Sequence, residues 1–291
     1  MVSRKFSAGK LTVYMFIIAL CVTIVVPIWM MLMSSFTEEG ELRRNIGLVL
    51  YPKQFTTAAY RLVFADSRVM LALQSSVSIS VAGTACLVLM TAMAAYPLSK
   101  KIMLRTPVGF YFYFTVLFGG GMIPTFLLMR DLKLLNSIWS IILLGLGQPF
   151  YIILMRNFFA ELPSELEESA MIDGAGQATV LFRIVVPLSL PVMATVSLFA
   201  MVAYWNDWFS PMIYMMGARD RWPLSTILQQ LLQGLMQPRP IDQLVENTGV
   251  TSPKEAFKYA TLFITMAPIM CIYPFAQKYF AKGILVGAVK G

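Results

Sequence analysis

Four carboxylates within nine positions, Glu165, Glu167, Glu168 and Asp173, form an acidic group without a basic residue among them. Paired carboxylates can do general acid–base work, but they need a positioned nucleophile or base beside them. No nucleophile–base pair accompanies these acids. The 291 residues include no histidine, the commonest general base and a frequent metal ligand. Positions at the start of a helix explain the acids without catalysis, so no catalytic residue is assigned. Cys21, Cys86 and Cys271 lie far apart in apolar runs and are odd in number. They read as small buried hydrophobes, giving neither a disulfide framework nor a metal site. The 21 methionines are scattered through apolar runs and read as packing, not as metal ligands.

A second group combines amides with aromatic rings. Tyr204-Trp-Asn-Asp-Trp-Phe209 offers ring faces, an amide and a carboxylate together. Such a set suits a sugar, which presents C–H faces and hydroxyls at once. Interfacial anchoring is the other reading of Trp205 and Trp208. Gln148 stands before Pro149 in the middle of an apolar run. A buried amide there needs a partner or water, and the proline frees a backbone carbonyl. Gln148, Trp205 and Asn206 are therefore candidates for lining a pathway. The small residues Gly119–Gly121 and the serines at 75, 76, 78 and 80 read as helix contacts.

The acidic group must sit on a helix whose ends are both specified. Ser164 can cap its start, and Glu167 three residues later completes a capping box. Glu165, Glu167 and Glu168 fall in the first turn, where the helix dipole favours negative charge. Gly174 suits the left-handed residue that ends such a helix. Nine or ten residues give a rod about 15 Å long. Ala170 and Ala175 are small enough to admit another surface closely.

Everything around this helix belongs to a membrane. Apolar residues make up 58% of the chain and charged ones 13%, against roughly 45–50% and about 25% in soluble domains. The net charge of +8 therefore reads as lysine and arginine at lipid headgroups, with no nucleic-acid partner. Six runs approach the roughly 20 residues needed to span a bilayer: residues 11–33, 71–98, 106–129, 137–159, 184–204 and 257–280. The first is too long for a signal-peptide core and reads as a retained span. The fold class expected is all-α, a polytopic membrane protein with six transmembrane helices in one domain, residues 1–291. Arg4, Lys5 and Lys10, then Lys100, Lys101 and Arg105, then Lys278, Lys282 and Lys290 predict a plasma-membrane protein with both termini cytoplasmic. The acidic loop, about residues 160–183, is then cytoplasmic, and the loops at about 34–70 and 205–256 are extracellular. Within the last, residues 222–234 have helical apolar spacing, and residues 237–253 read as a flexible loop.

The acidic loop also resembles a family signature. Membrane subunits of ABC importers carry Glu-Ala-Ala, three residues, Gly, nine residues, then Ile-x-Leu-Pro. Here Glu168-Ser169-Ala170, Gly174 and Ile184-Val-Val-Pro187 stand at those places, with Ser169 and Val186 departing. Glu167-Glu168, Asp173-Gly174-Ala175 and Pro191 match the longer form found in carbohydrate importers. Gly119-Gly-Gly-Met-Ile-Pro-Thr125, Leu134-Leu-Asn136, Arg156-Asn-Phe-Phe159 and the ending from Tyr273 resemble the second permease subunit of that family. The likeness is to its branch for complex or polysaccharide-derived sugars. It implies a type I ABC importer permease fold, with a coupling helix between the fourth and fifth spans. Glu165, Glu167, Glu168, Ser169, Ala170, Asp173, Gly174 and Ala175 would dock a cytoplasmic ATPase. The implied partners are a homologous permease, two ABC ATPase subunits, an extracellular sugar-binding protein and the lipid bilayer. No Gly-x-x-x-x-Gly-Lys-Ser/Thr loop occurs, so ATP and Mg belong to the partner ATPases and this chain holds no cofactor. An ATP-independent facilitator or secondary carrier is the alternative. The second to sixth spans are almost empty of charge, which weighs against an ion relay.

Overall fold

The computed structural model describes residues 8–45, 49–100, 105–235 and 254–288. Among these the chain is helical, with one isolated bridge between Thr37 and Phe55 as its extended pairing. It divides into two compact units, Met1–Val69 with Gln230–Met266 and Met70–Gln229 with Ala267–Gly291.

The first unit begins with α1 (Ala8–Ser35), apolar all round and interrupted only by Pro27. No residue of its most apolar stretch is buried within the chain, as expected of a helix covered by lipid or by another subunit. Its last turn enters a polar, well-satisfied cap. Ser34 Oγ accepts the Val49 amide at 3.0 Å, and Ser35 Oγ lies 2.8 Å from the Tyr60 hydroxyl. Phe36 stacks on Phe55 and Tyr60, with centroids 4.5 and 4.8 Å away. Two short helices, α2 (Glu39–Arg44) and α3 (Ala58–Ala65), occupy the stretch read from sequence as a loop. Glu39 is buried and accepts from Arg43 Nε and from the Glu255 amide at 3.0 Å. That last bond satisfies one of the free amides at the start of the final long helix.

The second unit is built around α4 (Ser67–Ser99), which is unbroken and apolar enough to span. The next three apolar runs are not single rods. α5 (Arg105–Leu117) and α6 (Met122–Asp131) meet at 112° across Gly119–Gly121. α7 (Ile138–Leu146) and α8 (Pro149–Ala160) meet at 50°, where Pro149 cannot donate to the ladder. After the acidic helix α9 (Ser164–Ile172), α10 (Gln177–Leu188) turns by 84° at Ser189 into α11 (Leu190–Asn206). The fifth span expected at 184–204 thus starts within α10, whose middle turn, Leu181–Val185, is π-helical. α12 (Phe209–Tyr214) and α13 (Leu224–Leu232) follow, then α14 (Lys254–Ala288), which holds Pro268 and Pro274. Among the described residues, three single helices and three bent pairs are long and apolar enough to account for six spans, if each bent pair is one span.

The amphipathic helix expected at 222–234 is α13, with Leu224, Ile227 and Leu231 buried. Its first amide donates to Ser76 Oγ at 2.7 Å, so this serine is a helix contact as read. The expected flexible loop at 237–253 lies outside the described residues. All three cysteine expectations need correction. Cys21 and Cys271 are exposed and Cys86 is half-buried, because a helix that is apolar all round turns part of its surface to lipid or to another subunit.

Candidate functional site: a short acidic helix and a cavity

The acidic helix is closed at its C-terminus by backbone geometry. Gly174 takes φ +85°, its amide donates to Met171 O at 3.0 Å, and the Ala175 amide donates to Ala170 O at 2.9 Å. These paired bonds are a Schellman ending, which needs a residue free to adopt the left-handed region. At the other end the expected capping box does not form. The helix starts at Ser164 after Pro163, with no side-chain cap bond. Glu167 is instead buried at 4% exposure and points to other elements. Its carboxylate pairs with Lys100 Nζ and accepts from the Tyr96 hydroxyl at 3.2 Å. An ion pair with a lysine offers a carboxylate more than one neutral amide at its own helix start.

At about 100° per residue, Glu165, Glu168, Ser169 and Ile172 share one face, while Glu167 and Met171 lie on the opposite one. Glu165, Glu168, Ser169 and Asp173 are exposed; Ala170 and Ala175 are half-buried. The Ser169 hydroxyl bonds back to Glu165 O at 2.7 Å, which satisfies it within its own helix. Sequence reasoning passed over Ile172 and Leu166, which stand 86% and 45% exposed beside the acids. An unburied isoleucine within an acidic rim is a surface suited to an apolar pocket with basic edges.

The amide and aromatic residues converge elsewhere in the second unit. A cavity of about 480 Å³ is lined by Gln148, Tyr151, Tyr204, Asn206, Asp207 and Ser210, with apolar walls including Leu87 and Ile141. Gln148 caps the break between α7 and α8, and Asn206 ends α11, so two helix breaks deliver both amides. Trp205 is buried and is not among the lining residues. Asp207, the carboxylate of the group read from sequence though not among its pathway candidates, lies beside Asn206 and accepts the Ser210 amide at 3.0 Å. Burial, with Asp207 adding to it, raises the Tyr214 phenol above its ordinary value and keeps it protonated. Tyr204 donates to Ile142 O at 2.8 Å and ties α11 to α7. The arrangement offers hydrogen bonds and ring edges to a polar solute, with one carboxylate and no cation among the described lining residues. Among the described residues no group of three or more acidic, cysteine or histidine side chains could hold a metal.

The sequence matches the model of binding-protein-dependent transport system inner membrane components over residues 2–286. The chain belongs to this family. It is 38% identical over 282 residues to the polygalacturonan/rhamnogalacturonan transport system permease protein of Bacillus subtilis, covering 96% of this chain and 97% of the relative. Protein LplC of the same organism is 39% identical over 273 residues, covering 92% and 90%. A solved structure of a bacterial ABC transporter involved in import of the acidic polysaccharide alginate superimposes with a TM-score of 0.86. It is 28% identical and covers 96% of this chain and 99% of its own. This inner membrane component therefore has the ABC importer permease fold. It works as a transport subunit and not as an enzyme.

Proposed function

We propose that this transport component is the permease subunit of an ATP-driven importer for oligosaccharides or fragments of polysaccharide. The observation that carries the cargo class is similarity along nearly the whole chain to a permease named for polygalacturonan and rhamnogalacturonan. A cavity of amides and rings supports it, since hydrogen bonds at fixed positions with apolar walls are what a sugar needs. Gln148 and Asn206 are the residues assigned to the pathway, with Trp205 holding α11 in place behind them. A homologous permease completes the pathway, and an extracellular sugar-binding protein delivers the cargo.

Energy comes from two ABC ATPase subunits, which bind ATP and Mg on the cytoplasmic side. α9 docks them through Ile172, Leu166 and the acidic rim of Glu165, Glu168 and Asp173. Both termini are cytoplasmic in this orientation, as the basic flanks require. The test is co-purification of the ATPase with the full complex. Deleting residues 165–174 should remove the ATPase while the permease still inserts. The milder Ile172→Asp should cut recovery about tenfold, as expected for an apolar anchor at an interface. Normal recovery in both variants would sink the docking role of α9.

A further inference from the structure

Glu167 differs from every other acid on α9. It is 4% exposed, lies on the face opposite Ile172, and reaches the end of α4 instead of solvent. Four observations locate the contact. Lys100 Nζ pairs with its carboxylate and sits 4.9 Å from the centroid of the Tyr96 ring. The Tyr96 hydroxyl is 3.2 Å from Glu167 Oε2 and 3.1 Å from Gln177 Oε1, at the first residue of α10. The Gln177 amide donates in turn to Met171 Sδ at 3.3 Å, on the side of α9 that carries Glu167. Arg156 of α8 donates to Leu98 O at 3.2 Å, holding the C-terminal turn of α4 from a third side. Thus the end of α4, the inward face of α9, the start of α10 and the end of α8 meet at one node.

We infer that Glu167 does not touch the ATPase but is the strut through which α9 drives α4, with Lys100 and Tyr96 as its receiving end. This rests on the docking role of α9 proposed above. The mechanics follow from rigidity. α4 runs over 33 residues, and its one proline, Pro97, lies in the last turn, between Tyr96 and Lys100. Displacement received at Tyr96 therefore travels along the proline-free helix before it, with Lys100 holding Glu167 from just past the helix end. Further along, the same helix contributes Leu87 to the cavity wall and Ser76 to the start of α13. A buried carboxylate held by a lysine and a phenol resists both pull and rotation. Removing one partner leaves the other charge poorly compensated, so the link should break sharply and not by degrees. Glu167 is a positioning residue on this account, and its surface neighbours are the contacts.

The experiment uses the complete complex, with partner permease, ATPases and binding protein, reconstituted in liposomes. Glu167→Gln and Lys100→Met are compared with the charge reversal of both positions together and with Ile172→Asp. The two single variants should keep ATPase in the purified complex, yet lose about tenfold in the stimulation of hydrolysis by loaded binding protein. The double reversal should recover at least about a third of that stimulation, which a general loss of fold would not allow. Ile172→Asp should show the contrary pattern, losing the ATPase itself. Two results would overturn the strut: full stimulation in Glu167→Gln, or loss of ATPase from that variant equal to Ile172→Asp with no recovery on reversal. Retention of ATPase by Ile172→Asp would instead count against the docking reading, so the two failures are separable.

Discussion

Tyr204 shows how one residue is made possible by what its neighbours lack. A Cβ on Gly145 would sit 2.2 Å from its hydroxyl oxygen, and one on Gly83 would sit 2.8 Å from its ring. Both contacts are far below van der Waals distance, so two glycines on α7 and α4 leave the slot that the phenol fills. Through that slot Tyr204 reaches Ile142 O and fixes the cavity wall between Gln148 and Asn206. Gly145→Ala should therefore lower stability by about 1–3 kcal/mol, the usual cost of forcing an extra methyl into a filled site. Gly147, two residues on, has nothing within 4 Å of its would-be Cβ. Gly147→Ala should change stability by less than about 1 kcal/mol. Thermal unfolding of the purified complex in detergent compares the pair. Equal midpoints would mean that Tyr204 swings out of its slot at little cost.

At the scale of elements, length and end signals were legible while direction was not. The apolar runs at 11–33 and 71–98 appear as α1 and α4 because composition alone decides whether a stretch can cross a bilayer. The same composition says nothing about bending. Gly119–Gly121, Pro149 and Ser189 each sit at a break of 50° to 112°, yet the glycines read as helix contacts, Ser189 gave no sign, and Pro149 gave a sign without an angle. The end of α9 was readable because a left-handed residue is a local requirement that Gly174 meets by itself. The role of Glu167 was not readable, since Lys100 lies 67 positions away and only the fold brings them together. Local signals favoured a cap, and a tertiary ion pair won. Gly174 supports a prediction of its own. Gly174→Val should cost about 1–2 kcal/mol at φ +85° and shift the α9–α10 turn, reducing transport with the chain still inserted. Gly174→Asn should retain most of the transport, because asparagine tolerates that region. Transport equal to wild type in the valine variant would show that the turn does not set the position of α9.

For the whole molecule, the decisive question is which side of the membrane α9 occupies. The ion pair between Lys100 and Glu167 joins two arguments that were separate in the sequence. Lys100 opens the basic turn that follows α4, and basic turns remain on the cytoplasmic side. Glu167 belongs to α9, so in the proposed orientation the contact places α9 on the same side. One orientation must satisfy both, and an inverted chain would place the basic turn and the docking helix outside together. The labelling test follows directly. With Cys21, Cys86 and Cys271 replaced, a single cysteine is introduced at exposed Glu161, beside α9, or at exposed Asp220, ahead of α13. A membrane-impermeant thiol reagent added to intact cells should label Asp220→Cys and leave Glu161→Cys unmodified. Permeabilising the membrane should then expose Glu161→Cys as well. Labelling of Glu161→Cys in intact cells would invert the topology and remove α9 from reach of any cytoplasmic ATPase, whatever its surface chemistry.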